Sequence, residues 1–263
     1  MAIKMNVNYQ KIIELVLNTK DLILNTEKAN QVTVKGLADY VTQVDFSVQS
    51  YLVKALADAY PEIQFLGEEG HKATLDWSRP VWILDPVDGT TNLIHDYQHS
   101  CVALGLWDGT QLVFGCVYNP FHNELFRAVR GEGAYLNDRK ISVSDRPTLS
   151  RSLILVGTSP YEKERADEVF DKIKRVYAAS EDIRRSGSAA MDFCTVACGR
   201  TDGFFEYNLK PWDYAAGSVI LEEAGGRFTN PHGETVFPGE NSDVVGTNSL
   251  IQQELMDKLN ETK

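Results

Sequence analysis

The run WILDPVDGTTN, Trp82 to Asn92, constrains what this chain can fold into more than any other segment. Val81 to Leu84 is a short apolar run suited to a buried strand. It ends on Asp85, Asp88 follows three residues later, and Gly89, Thr90 and Thr91 form a small turn where a helix can begin. Asp, Pro, Gly and Thr also punctuate ordinary strand ends, so a plain polar turn is the competing reading. A second acidic pair, Glu68 and Glu69, ends another apolar run, Ile63 to Leu66. Carboxylates gathered at two strand ends raise one another's pKa and repel unless a cation sits between them. Hard cations such as Mg²⁺ take oxygen ligands, carboxylates together with substrate phosphate oxygens, so the pattern reads as a metal and phosphate site.

Asp213 is the third acidic candidate. It follows Pro211 near a helix start, where a carboxylate also serves as a cap or complements the helix dipole. The small residues behind it in PWDYAAG, Pro211 to Gly217, suit a helix that approaches a crowded site closely. Phosphate oxygens can be held by free N–H groups where helices begin, at Gly89-Thr90-Thr91 and at the similar turn Ser186 to Ala190. Either turn is equally readable as a bare helix start.

The chain has 263 residues, enough for a substantial core in one large or two modest domains. With 43% hydrophobic and 24% charged residues it has an ordinary globular composition, and no run approaches the roughly 18 apolar residues of a membrane span. Met1 to Asn8 lacks the apolar core of a secretory signal, which places the expectation in the cytoplasm. A formal net charge of -11 argues against nucleic acid as the main ligand. It would also repel a phosphorylated substrate unless bound cations reverse the local sign. Of the four cysteines, Cys194 and Cys198 are read as helix packing residues. Cys101 and Cys116 face each other if Asp108-Gly109 is a two-residue hairpin turn, and a cytosolic protein would keep them reduced.

Apolar spacing predicts a helix from Tyr9 to Lys28, a loop from Asn30 to Ala38, and a second helix from Thr42 to Tyr60 opened by a Thr42–Asp45 capping box. Strands are expected at Cys101–Trp107, Gln111–Tyr118, Glu124–Val129 and Gly133–Leu136. The first half, residues 1–146, therefore reads as α+β with an antiparallel sheet and most of the metal ligands. Ser144 to Arg151 is the boundary candidate. Beyond it, residues 147–263 alternate as α/β: strands at Leu153–Gly157, Asp182–Arg185, Gly203–Tyr207 and Val244–Gly246, with helices at Glu164–Tyr177, Ala189–Cys198, Trp212–Ala224 and from Leu250. Two halves of this kind should share an interface, a favoured place for a site.

Other phosphate machinery is not matched. There is no GxxxxGK[ST] loop, Asp85 and Asp88 are not the D-x-D run of an aspartyl-phosphate enzyme, and no GxSxG elbow occurs. His71, His95, His99, His122 and His232 lack HExxH spacing and are expected at polar loop positions.

GEEG at Gly67 to Gly70, WILDPVDGTTNLIHD at Trp82 to Asp96 and PWDYAAGSVILEEAGG at Pro211 to Gly226 together resemble the inositol monophosphatase family. That family belongs to the Mg²⁺-dependent, lithium-sensitive sugar phosphatases, and the match runs in order over nearly the whole chain. The resemblance implies a layered αβαβα sandwich of the inositol monophosphatase and fructose bisphosphatase type, usually a homodimer, without membrane attachment. It implies two or three Mg²⁺ per site, with ligands from Glu68, Asp85, the Val87 carbonyl, Asp88 and Asp213, and Asp45 near a weaker metal. It assigns Gly89 and Thr90 to phosphate, Asp88, Ala189 and Glu206 to substrate hydroxyls, and Glu68, Thr90 and Asp45 to activation of the attacking water. The leading substrate is inositol-1-phosphate, with NADP(H), fructose 1,6-bisphosphate and adenosine 3',5'-bisphosphate as alternatives. Arg184 and Arg185 either accept a second phosphate or only flank a strand, and a binding or regulatory role is the non-enzymatic alternative.

Overall fold

The computed structural model describes residues 7–36, 39–70 and 74–261. Most of the N-terminal stretch read for a signal, and His71, lie outside them. The helical spacing from Tyr9 resolves into three short helices, α1 (Tyr9–Leu17), α2 (Lys20–Ile23) and α3 (Thr26–Ala29). The first break falls where Thr19 Oγ1 donates to the Val16 carbonyl at 2.7 Å, a side-chain bond of the kind that competes with helix continuation.

The expected loop at Asn30 to Ala38 instead contains β1 (Val32–Gly36), which pairs antiparallel with β2 (Asp39–Thr42); Leu37 and Ala38 lie outside the described residues. All five β1 residues are exposed, so no buried face imposes the apolar alternation that marks a strand. Helix α4 (Gln43–Ala59) begins as expected. The Thr42 hydroxyl accepts from Val44 N–H and Asp45 Oδ2 accepts from Thr42 N–H, closing the capping box.

A seven-stranded sheet follows in chain order: β3 (Gln64–Gly67), β4 (Val81–Asp88), β5 (Cys101–Trp107), β6 (Leu112–Asn119), β7 (Glu124–Val129), β8 (Gly133–Leu136) and β9 (Arg139–Lys140). Only the β3–β4 pair is parallel. The short helix α5 (Thr90–Ile94) lies between β4 and β5. The β5–β6 turn differs from the expected two-residue form. Asp108 Oδ1 accepts from the N–H groups of both Thr110 and Gln111, which widens the loop and pairs Trp107 with Leu112. Cys116 therefore faces Leu104, and Cys101 is not its partner.

The segment after β9 carries the chain to a five-stranded sheet, β11-β10-β12-β14-β13. Its strands are β10 (Leu153–Val156), β11 (Asp182–Arg184), β12 (Gly203–Leu209), β13 (Arg227–Thr229) and β14 (Ser242–Thr247). Helices α6 (Ala166–Ala179), α7 (Ala189–Ala197), α8 (Pro211–Glu223) and α9 (Gln252–Asn260) connect or follow them. The three-residue β13, with one buried side chain, had no visible pattern in the sequence.

Strand periodicity divides the core into layers. On β4, Trp82 and Leu84 join α1 and α4 in one cluster, whereas Val81 and Ile83 join α7 and α8 in another. The far face of the smaller sheet packs Ile154, Val156 and Phe205 against α6 and α9. The order is helix, sheet, helix, sheet, helix, the αβαβα sandwich. Among the described residues no helix is long and apolar enough to cross a membrane.

The middle layer is tight because α8 carries Ala215 and Ala216 toward the sheet and Gly217 toward Phe193 of α7. A Cβ on Gly105 would come within 3.1 Å of the Ala215 Cβ, and one on Gly115 would collide with the Ala216 carbonyl. Small side chains thus let the α8 backbone lie close to β5 and β6 and hold Asp213, in its first turn, over the end of β4.

Candidate active site

Strand β4 pairs Asp85 with Ala103 and Asp88 with Cys101, so three steps on one strand match two on the other. This is a β-bulge. Residues three apart in a regular strand would face opposite layers; the extra residue turns both acids toward the layer of α7 and α8. Asp85 Oδ1 accepts from Val87 N–H at 2.9 Å, which fixes the bulge from within. Asp88 Oδ2 accepts from the Ser188 hydroxyl at 2.6 Å and from Ala190 N–H at 2.7 Å, so the first turn of α7 is tied to β4. Cys101 lies buried behind it, Sγ 3.9 Å from Asp88 Oδ2.

Asp213 sits in the first turn of α8, with Oδ2 accepting from Lys210 N–H at 2.7 Å. Glu68 follows β3, and its N–H donates to the Leu84 carbonyl at 3.2 Å. Lys35, from the β1–β2 hairpin, reaches this acidic corner: its Nζ lies 3.4 Å from Glu68 Oε1 and pairs with Glu69. Gly89 caps α5 at φ +87°, a conformation that favours glycine. A Cβ there would lie 3.0 Å from the His99 carbonyl and 3.3 Å from that of Gly187. The two small-residue turns therefore abut, and Asn92 Nδ2 ties them by donating to the carbonyls of His99 and Ser186.

Thr90 Oγ1 lies 3.0 Å from the Val87 carbonyl and 3.2 Å from Asp45 Oδ1; its one proton serves either acceptor. Asp45 has two roles. One oxygen caps α4 and the other faces Thr90. Glu206 Oε1 accepts from Ser159 N–H at 3.2 Å, and Gly157 must lack a side chain because a Cβ would strike the Glu206 carboxyl.

Glu68, Asp85, Val87, Asp88, Gly89, Thr90, Ala189, Glu206 and Asp213 all line one cavity of about 270 Å³, with Asp45 directly behind Thr90. A second lobe of about 460 Å³, bordered by Lys35, Tyr161, Asn208 and Lys210, shares Glu68, Glu206 and Asp213 with it. Sequence reading missed Asp192. This buried acid on α7 accepts from the Ser186 hydroxyl at 2.5 Å and also lines the first cavity. An acid inside an otherwise apolar helix, AAMDFCTVA, was the available signal.

Burial pushes the carboxyls of Asp85 and Asp213 well above the ordinary range, and their acidic neighbours push them further. Burial also raises Asp88, against the lowering bonds from Ser188 and Ala190, and Glu68, against the nearby Lys35 ammonium. Glu206 is raised to about 7 by burial. Among the described residues, no three His, Cys, Asp or Glu side chains close tightly enough around one point to form a preformed metal cage. The acids instead share a cavity with backbone bonds holding one oxygen each of Asp85 and Asp213.

A five-layer sandwich whose acids converge where the two sheets meet defines a phosphatase class. The chain belongs to the inositol monophosphatase family, whose profile matches residues 3–263. It is 41% identical over 203 residues to a Nus factor SuhB from Xylella fastidiosa, covering 77% of this chain and 73% of that one. It is 36% identical over 230 residues to an inositol monophosphatase from Dictyostelium discoideum, covering 85% of each. Among solved structures, the extragenic suppressor protein suhB of Bartonella henselae superposes with a TM-score of 0.91 at 33% identity, covering 97% of this chain and 99% of that one.

Proposed function

We propose that the chain is a Mg²⁺-dependent phosphomonoesterase whose leading substrate is inositol-1-phosphate. The observation that carries this reading is the β4 bulge, which puts Asp85 and Asp88 on the face toward Asp213. The metal is supported by the donor set. Several buried acids raise one another's pKa in one cavity, and all offer oxygen, as hard divalent cations require. Glu68, Asp85, the Val87 carbonyl, Asp88 and Asp213, which line the same cavity, would hold two or three ions. When bound, Mg²⁺ lowers the pKa of a water and neutralises charge on the transferred phosphoryl group.

The chain's own groups supply the rest. The turn at Gly89 would present backbone N–H groups to phosphate oxygens, whereas at the second turn Ser188 N–H is spent on the Ser186 hydroxyl and Ala190 N–H on Asp88. Glu68 accepts the proton of the attacking water while the Thr90 hydroxyl orients it, with Asp45 accepting the Thr90 proton. Asp88, Ala189 and Glu206 border the leaving group. Residues 1–146 would contribute most of the metal ligands and 147–263 would complete the site. Sensitivity to Li⁺, a homodimer and a cytoplasmic location belong to the same reading.

The test is phosphate release from inositol-1-phosphate, NADP, fructose 1,6-bisphosphate and adenosine 3',5'-bisphosphate, with and without Mg²⁺. Release from inositol-1-phosphate that requires Mg²⁺ supports the reading. Release from none of the four favours a binding or regulatory role, the alternative that the Nus factor relative keeps open.

A further inference from the structure

Arg184 and Arg185 are neighbours in sequence with different surroundings. Arg184 pairs with Asp182 on edge strand β11, its side chain 56% exposed. Arg185 is exposed as well, yet it lines the active-site cavity. Gly187 makes room for it, because at φ +93° a Cβ would collide with the Arg185 guanidinium. The turn that carries them is braced on both sides, by Asn92 on the Ser186 carbonyl and by Asp192 on the Ser186 hydroxyl. Arg185 acts electrostatically on the buried Asp88 and Asp192 and on the half-buried Glu206.

We propose that Arg185 is a specificity-determining residue that, together with Glu206, grips a neutral polyol leaving group, the guanidinium donating to one hydroxyl while the Glu206 carboxylate accepts from another. This rests on the phosphomonoesterase reading and names the leaving group it acts on. A guanidinium alone would suit a second phosphate, since its fork matches that anion. Here the same space is bordered by the carboxyls of Asp192 and Glu206, which already draw on the Arg185 charge, so a second anion would compete with them for the guanidinium where a hydroxyl meets a donor and an acceptor. A polyol missing one of these hydroxyls leaves a donor or an acceptor of the cavity unmatched, which is how polar sites discriminate between substrates.

Steady-state kinetics of the full chain in saturating Mg²⁺ test the assignment, with inositol-1-phosphate, fructose 1,6-bisphosphate and 4-nitrophenyl phosphate, which carries no polyol. Arg185→Ala should raise KM for inositol-1-phosphate about tenfold or more with kcat little changed, and leave KM for 4-nitrophenyl phosphate near wild type. Arg185→Lys should recover part of the loss, and Arg184→Ala should match wild type. A loss confined to fructose 1,6-bisphosphate would overturn the proposal in favour of a second-anion site. An equal loss on all three esters, or none on inositol-1-phosphate, would also overturn it. A wild-type chain that hydrolyses none of the esters removes the phosphatase reading itself, and this assignment with it.

Discussion

Asp85 and Asp88 are three residues apart, yet they pair with Ala103 and Cys101, which are two apart, and so both carboxylates leave β4 on the same face. Asp88→Asn keeps an oxygen that can accept from Ser188 and Ala190 while removing the charge. Phosphate release should fall by about 10² to 10³ or more, as when one preorganised charge-stabilising group is lost. Circular dichroism and the melting temperature should stay close to wild type. Near-normal turnover in saturating Mg²⁺ would remove Asp88 from the metal set.

Thr90 and Asp45 offer a way to separate catalysis from capping. Thr90→Ala should lower kcat by about 10²-fold through loss of a proton-handling group, and Thr90→Ser should restore much of it. Thr42→Ala removes the hydroxyl that accepts from Val44 N–H and donates to Asp45. It should cost about 1 kcal/mol of stability with a smaller effect on rate. Denaturant melts and kinetics on the same samples distinguish the two. If Thr90→Ala melts lower but turns over normally, its hydroxyl is structural.

These positions also mark how far the sequence could be read. The helices at Thr42 and Ala189, the buried strand from Val81 and the close approach of α8 were legible because each has a local signature: a capping box, a small-residue turn, an apolar run, small residues in PWDYAAG. The bulge was not, since spacing alone puts Asp85 and Asp88 on opposite faces and only the pairing partner exposes the extra residue. The β1–β2 hairpin was hidden for lack of a buried face, and the β5–β6 register was misjudged because one side chain, Asp108, binds two successive backbone N–H groups. The family resemblance pointed to cavity-lining residues that no pattern marks, such as Glu206, and left Asp192 out.

Gly115 should be among the least replaceable residues outside the cavity. A Cβ there meets the Ala216 carbonyl, which is backbone and has no rotamer to escape into. Gly115→Ala should destabilise by about 1–3 kcal/mol, and lower activity as well because the displaced helix carries Asp213. Gly131→Ala is the control. Nothing lies within 4 Å of its Cβ position, but φ is +85°, so about 1–2 kcal/mol of backbone strain with unchanged kcat is expected. Equal activity in both variants would break the link between α8 packing and the site.

The buried acids make stability depend on pH in an unusual direction. A carboxyl whose folded pKa is raised binds protons more tightly in the native than in the unfolded state, so its stabilisation is present at low pH and is lost as pH rises through the folded value. Asp85, Asp88, Asp213 and Glu68 are raised, and Glu206 is raised from 4.5 to about 7. The metal-free chain should therefore melt higher at about pH 5 than at about pH 8, Glu206 alone contributing at most about 3 kcal/mol to the difference. Added Mg²⁺ competes with those protons and stabilises only the folded state, so it should raise the melting temperature more at about pH 8 than at about pH 5. Asp213→Asn should shrink both the pH dependence and the Mg²⁺ response. Melting curves in chelator and in millimolar Mg²⁺ read each of these directly, and a Mg²⁺ shift of the same size at both pH values would mean that the ion binds away from these acids.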